Sequence, residues 1–199
     1  HHLDLRKLDQ EKDFIKEEES IRKLIIYSIF IGVGAGLIVP LFNIFLYNKL
    51  AATESQIGVI MAVANILTAL GSLATPFIIT RLGRIKTVVI PPMLSIIFLL
   101  MIAFTGNMYL VALAYSLRKM FMNMVNPVVR NFSMELVSEE NQANTSSIMR
   151  SVRRIGRGVG SFFSGIFLGS EMYIMPFIIT AILYSTGFIF FAHFFKEYK

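Results

Sequence analysis

The chain has 199 residues, of which 55% are hydrophobic and only 16% charged, with a formal net charge of +6. Soluble domains carry about 25% charged residues, so this composition excludes an ordinary water-soluble domain. Cysteine is absent, which excludes disulfides and thiolate metal sites, and no nucleic-acid recognition motif accounts for the excess of bases.

In chain order, His1 and His2 read as the end of an affinity tag. Residues 3–20 are a charged arm, read as a cytoplasmic linker or an amphipathic helix; acids dominate where a signal peptide would be basic. Residues 21–199 read as one domain of six transmembrane helices, an all-α membrane fold. Its apolar segments, 24–46, 57–80, 87–105, 108–133, 144–168 and 173–195, each approach the roughly 20 residues that cross hydrocarbon. Short connections rich in Gly, Asn and charge separate them, because such residues are costly in lipid and cheap in water. Six crossings put both termini on one side. The bases of the arm, Arg81, Arg84, Lys86, Lys196 and Lys199 fall on that side, and the opposite connections hold only Lys49. The positive-inside rule then predicts cytoplasmic termini in a multi-pass protein of the cell membrane.

The six segments differ in pattern. At about 100° per residue, Gly32, Gly36, Pro40, Asn43 and Tyr47 share an arc of the first helix. Asn65, Thr68, Ser72 and Thr75 share a face of the second. In the fourth, Ser116, Lys119, Asn123, Asn126 and Arg130 lie together, and in the fifth Ser146, Arg150, Arg153, Arg157, Ser161 and Ser164 form a stripe with Arg154 at its edge. The third and sixth lack such a face and are expected to stand outside, toward lipid. Polar stripes of small and amide residues often serve only to join helices. Cationic ones are different. No Asp or Glu lies between Glu54 and Glu135 or between Glu140 and Glu171. An unpaired charge costs at least about 2.5 kcal/mol at the bilayer centre, so these bases should face a wet cavity or a partner.

Counting along the helices places Arg118 and Lys119 near mid-membrane and Arg157 well inside, with Arg130 and Arg150 toward the cytoplasmic boundary. The residues expected to line a substrate cavity are Asn43, Tyr47, Ser116, Lys119, Asn123, Asn126 and Arg157. Arg150, Arg153 and Arg154 either snorkel or hold an anion or anionic lipid. Arg118, a further candidate contact for an anion or lipid, points away from the main polar face, toward another helix or a further part of the protein. Pro40 and Pro127 each free a backbone carbonyl within a span, and the glycines of the fifth helix permit close approach or bending.

From Pro76 to Lys86 the sequence resembles the G-x-x-x-D-R-x-G-R-[RK] loop of the major facilitator superfamily. Arg81, Gly83 and Arg84 match, while Pro76 replaces the glycine and Thr80 the aspartate. The acidic Glu139–Glu140 followed by the glycine-rich run from Gly156 to Gly165 is similar to that family's eleventh helix, and Ser55 to Gly58 to the start of its eighth. The resemblance covers about residues 21–199 and implies the carboxy-terminal six-helix half of such a transporter. It implies a second half elsewhere, so the chain is expected to be a fragment, one piece of a split protein, or a half that pairs with a second copy.

The function expected is that of a secondary transporter half moving a small, anionic solute by alternating access, with lipid and substrate as partners and no cofactor or metal. A multidrug efflux half is the alternative within the class, if acids elsewhere neutralise the bases. A rival of another class is a membrane scaffold or receptor that binds an anion or lipid without moving it. Catalysis is not expected, since the spans hold no acid or Cys, and the lone His193 lies at the end of the sixth.

Overall fold

The computed structural model describes the backbone of residues 2–196 and the side chains of residues 14–196. The charges at residues 3–13 and Lys199, counted above toward orientation, therefore lie outside the described side chains, as does the His1–His2 pair. Among the described residues seven helices follow one another: α1 His2–Leu50, α2 Glu54–Leu82, α3 Arg84–Phe104, α4 Met108–Asn123, α5 Asn126–Glu135, α6 Glu139–Gly169 and α7 Met175–Phe195. They make six traverses, because α4 and α5 are two pieces of one.

Four of these helices, α1, α2, α3 and α7, are long and apolar enough to cross a membrane. The other two traverses fall short for physical reasons already visible in the sequence. Pro127 has no N–H to offer the Asn123 carbonyl, and the fourth traverse breaks at Met124 and Val125. The fifth carries Arg150, Arg153, Arg154 and Arg157 along its length.

The charged arm takes the helical form of the two expected. It continues without interruption into the first traverse, and α1 is 49 residues long. Charge marks where the helix leaves lipid, not where it ends; i,i+4 pairs such as Lys23–Glu19 at 2.7 Å support its exposed turns. At the other end α1 stops at Ala51, which takes a left-handed φ of 51°. Thr53 then starts α2 with a reciprocal capping box to Gln56. Gly83 alone turns the chain from α2 into α3, at a φ of 79° that favours glycine.

Laterally the helices run α6, α1, α7, α3, α4, α2, with α5 reaching back to touch α6. The α1–α6 seam is the closest in the molecule. A Cβ at Gly36 would lie 2.9 Å from the Arg157 Cα, one at Gly160 2.9 Å from the Gly36 Cα, and one at Gly156 3.2 Å from the Val33 nitrogen. Two i,i+4 glycine pairs, Gly32/Gly36 and Gly156/Gly160, thus bring the backbones together. Pro40 leaves the Gly36 carbonyl without its helical donor, and the Ser161 hydroxyl of α6 donates to it at 3.4 Å. Gly32 and Gly36, grouped by sequence with a polar arc, therefore face a helix at this level.

The third and sixth traverses, α3 and α7, lie side by side. α3 packs between α4 and α7, and α7 between α1 and α3; their outward residues include Ile90, Ile97, Ile182 and Ile189. Buried aromatics (Tyr184, Phe188 and Phe191) seal α7 against α1, where the Thr180 hydroxyl bonds the Gly34 carbonyl at 3.2 Å. The least covered span is α2, with 17% of its apolar window buried against 44% for α3 and for α7.

The start of the first traverse and the end of the last lie at one end of the bundle. Lys23 sits over the Phe194 ring there at 4.9 Å. Arg84, at the α2–α3 turn, pairs at the same end with Glu135 of α5. Glu17 of the arm accepts hydrogen bonds from Ser138 at 3.1 Å and Asn141 at 2.8 Å, at the start of α6.

Candidate functional site

A polar chain of side chains runs down the α4–α5 traverse. The Lys119 ammonium donates to the Asn65 Oδ1 of α2 at 2.7 Å. The Asn123 amide donates to the Lys119 carbonyl at 2.7 Å, and the Asn126 amide to the Asn123 Oδ1 at 3.3 Å. Lys119 also stands 5.9 Å from the ring of Tyr115, which stacks on Phe42 of α1 with centroids 3.6 Å apart. An ammonium here has an amide and an aromatic face as neighbours, and no carboxylate pairs with it among the described residues.

The break that carries Asn126 is stabilised from α2. Thr75, buried, donates to the Met124 carbonyl at 3.0 Å while also reaching the Gly71 carbonyl at 2.9 Å. Irregular backbone at membrane depth needs such a substitute donor, and α2 supplies it at the turn between α4 and α5.

The residues singled out from the sequence are placed unevenly. Lys119, Asn123 and Asn126 are linked as described. Asn43 and Tyr47 are exposed on α1, Tyr47 at 60%, beyond the glycine seam. Arg157 is exposed on α6, its backbone pressed on Gly36. Ser116 lies apart from an open surface: it is buried and its hydroxyl bonds the Ala112 carbonyl of its own helix at 2.8 Å. Thr68 and Ser72 of α2 likewise bond their own helix, at 2.7 and 2.9 Å, so most of that hydroxyl stripe is satisfied locally.

Arg118 turns away from this group into the six-helix unit. It is buried, and its guanidinium carbon lies 5.9 Å from the Tyr184 ring of α7, an arrangement favourable for cation–π attraction. Its Nε has no hydrogen-bond partner. Arg154 is exposed on α6.

Several participants were not singled out in advance. Asn65 was visible only as one member of a polar stripe, and Tyr115 and Met61, whose thioether accepts from the Tyr115 hydroxyl at 3.4 Å, carried no polar periodicity. Glu135 completes the Arg84 ion pair, so Arg84 ties the α2–α3 turn to α5. Between α5 and α6 a cleft of about 200 Å³ is lined by Arg130, Arg150 and Arg153 together with Asn126, Ser133 and Ser146. Among the described residues, no group of three His, Asp or Glu side chains could hold a metal ion.

Six traverses and apolar outer faces are those of a multi-pass membrane protein. Residues 24–199 match the family profile of the Major Facilitator Superfamily, and the chain belongs to that family. Its fold is the six-helix half-bundle of that family, and its general function is secondary transport. No curated protein shows a significant match to the chain.

Proposed function

We propose that the chain is the carboxy-terminal half of a secondary transporter that moves a small anionic solute by alternating access. The observation that carries this reading is Lys119, bonded to Asn65 with no carboxylate beside it. A cation left without a counter-charge in an apolar setting favours an anion as ligand, because an ion pair offsets the desolvation of both groups. Asn123 and Asn126 offer further amide groups along the same line, and Asn43, Tyr47 and Arg157 are the exposed residues of α1 and α6 that would complete the cavity. Ser116 contributes by packing, not by contact with solute.

Alternating access needs a second six-helix unit across the cavity, supplied by an amino-terminal half or by a second copy of this chain. The thinly covered α2 and the exposed edge of α6 are the surfaces that would meet it. In this reading the end of the bundle that holds Lys23 and Phe194 faces the cytoplasm of a cell-membrane protein; the bases Arg81, Arg84 and Lys86 at the α2–α3 turn support that orientation. The absence of cysteine makes this directly testable by single-cysteine labelling at residue 86 and at residue 49 from outside intact cells.

The functional test is solute uptake by the oligomer reconstituted in vesicles, with labelled inorganic phosphate and a labelled dicarboxylate as probes. Accumulation that is lost in Lys119→Gln and retained in part by Lys119→Arg supports the reading. Lys119-dependent binding without accumulation makes the chain a non-transporting receptor, and movement of a cationic dye in place of either anion makes it an efflux half.

A further inference from the structure

We propose that the cleft between α5 and α6 is a binding site for a phosphoryl-type anion, held by the guanidinium groups of Arg130, Arg150 and Arg153. It meets the Lys119 group only at Asn126, whose amide is engaged with Asn123, and does not depend on which solute is transported. Three arginines from two helices converge on one cleft of about 200 Å³, and no carboxylate lines it. A water molecule takes about 30 Å³ of liquid, so the space admits a tetrahedral oxyanion together with part of its hydration.

The cations are uncommitted. The three ion pairs among the described residues join Arg22, Lys23 and Arg84 to acids, and none involves the cleft. Arg150 donates its Nε to the Ser146 carbonyl at 3.2 Å, which holds the side chain against its own helix and leaves both terminal NH2 groups without a protein acceptor. Among the described residues, the side chains of Arg130 and Arg153 make no hydrogen bond. The backbone of Arg153 is pinned, because a Cβ on Gly32 of α1 would lie 3.1 Å from its Cα. Like charges gathered in a confined, partly apolar space repel one another, and an anion between them converts that repulsion into attraction. Arginine in preference to lysine matters: its planar fork offers paired donors that match the oxygens of a phosphoryl group. Ser146 adds a hydroxyl, while those of Ser133 and the Asn126 amide are already engaged with Arg130 and Asn123. The phosphoryl group has two possible sources, a soluble phosphate or the headgroup of an anionic lipid.

The test uses the purified chain in neutral detergent. One arm follows thermal unfolding by circular dichroism during titration with sodium phosphate, against sodium chloride of equal ionic strength. The other uses native mass spectrometry after release from nanodiscs containing phosphatidylglycerol or only phosphatidylcholine. Arg150→Gln and the double variant Arg130→Gln/Arg150→Gln are compared with Lys86→Gln, which removes one charge outside the cleft. We expect binding to weaken about tenfold for each guanidinium removed and to be unchanged in Lys86→Gln. Arg150→Lys should fall between, since it keeps the charge and loses the fork. Specific stabilisation by phosphate assigns a soluble ligand, and retention of phosphatidylglycerol alone assigns a headgroup; either supports the site. No preference over chloride and phosphatidylcholine, or binding lost equally in Lys86→Gln, overturns it. Should the double variant not fold, Arg150→Gln, at an exposed side chain, carries the same comparison.

Discussion

Adding one methyl group at Gly160 and at Gly158 should move stability in opposite directions, although the two glycines are two residues apart on α6. At Gly160 a Cβ would sit 2.9 Å from the Gly36 Cα and 2.9 Å from the Leu37 nitrogen, and closer still to the Val33 carbonyl oxygen. All three are backbone atoms of α1, so no rotamer change relieves the contact. Restoring ordinary van der Waals distances needs a separation of about 0.5–1 Å along the seam, and overpacking of this kind costs about 1–3 kcal/mol. At Gly158 nothing lies within 4 Å of the added methyl. There the change should be neutral or stabilising by up to about 1 kcal/mol, through helix propensity alone. For a chain of this length 1 kcal/mol corresponds to about 2–4 °C in unfolding midpoint. Gly160→Ala should therefore unfold several degrees below the parent in detergent, and Gly158→Ala at or slightly above it. Equal shifts in the two variants would refute the close α1–α6 packing on which the argument rests.

Thr75→Val keeps the shape of the side chain and removes the donor to the Met124 carbonyl; it should lower stability by about 1 kcal/mol, and Thr75→Ser should recover most of it in the same unfolding assay. Ala51→Gly should raise the midpoint, because a left-handed conformation costs a non-glycine residue about 1 kcal/mol; no change would mean that the α1 terminus is already relaxed. Arg84→Glu and Glu135→Arg should each destabilise by no more than about 1 kcal/mol, and the double exchange should restore the loss, a positive coupling readable from the four-variant cycle.

The traverses were legible because lipid demands long apolar runs: all six segments reappear as helical traverses, four of them long and apolar enough to cross a membrane. What was hard to read was where helices end. The arm read as a linker or an amphipathic helix because Asp, Glu and Lys crowd it; nothing between Ser20 and Leu24 breaks a helix, and α1 runs on. Pro127 announced a freed carbonyl but not the split of one traverse into α4 and α5. Helical periodicity grouped Lys119, Asn123 and Asn126, which are indeed hydrogen-bonded in succession. The same periodicity included Ser116, whose hydroxyl finds a backbone acceptor on its own helix. It also put Gly32 and Gly36 with Asn43 and Tyr47, although glycine on a shared arc is as well suited to a neighbouring helix as to a cavity. Partners separated by many residues, such as Asn65 for Lys119 or Glu135 for Arg84, have no signature in local spacing; they depend on which helices become neighbours.

The unbroken α1 has a mechanical consequence. Its 49 residues form a rod of about 74 Å. The rod is clasped to α6 twice, by the glycines in mid-bundle and by Glu17, which grips Ser138 and Asn141 at the foot of α6. With no hinge between the two clasps, a load applied to the arm cannot dissipate in a flexible joint. It acts as torque on a single beam of two helices, and any swing of that beam carries Arg153 and Arg157 with it.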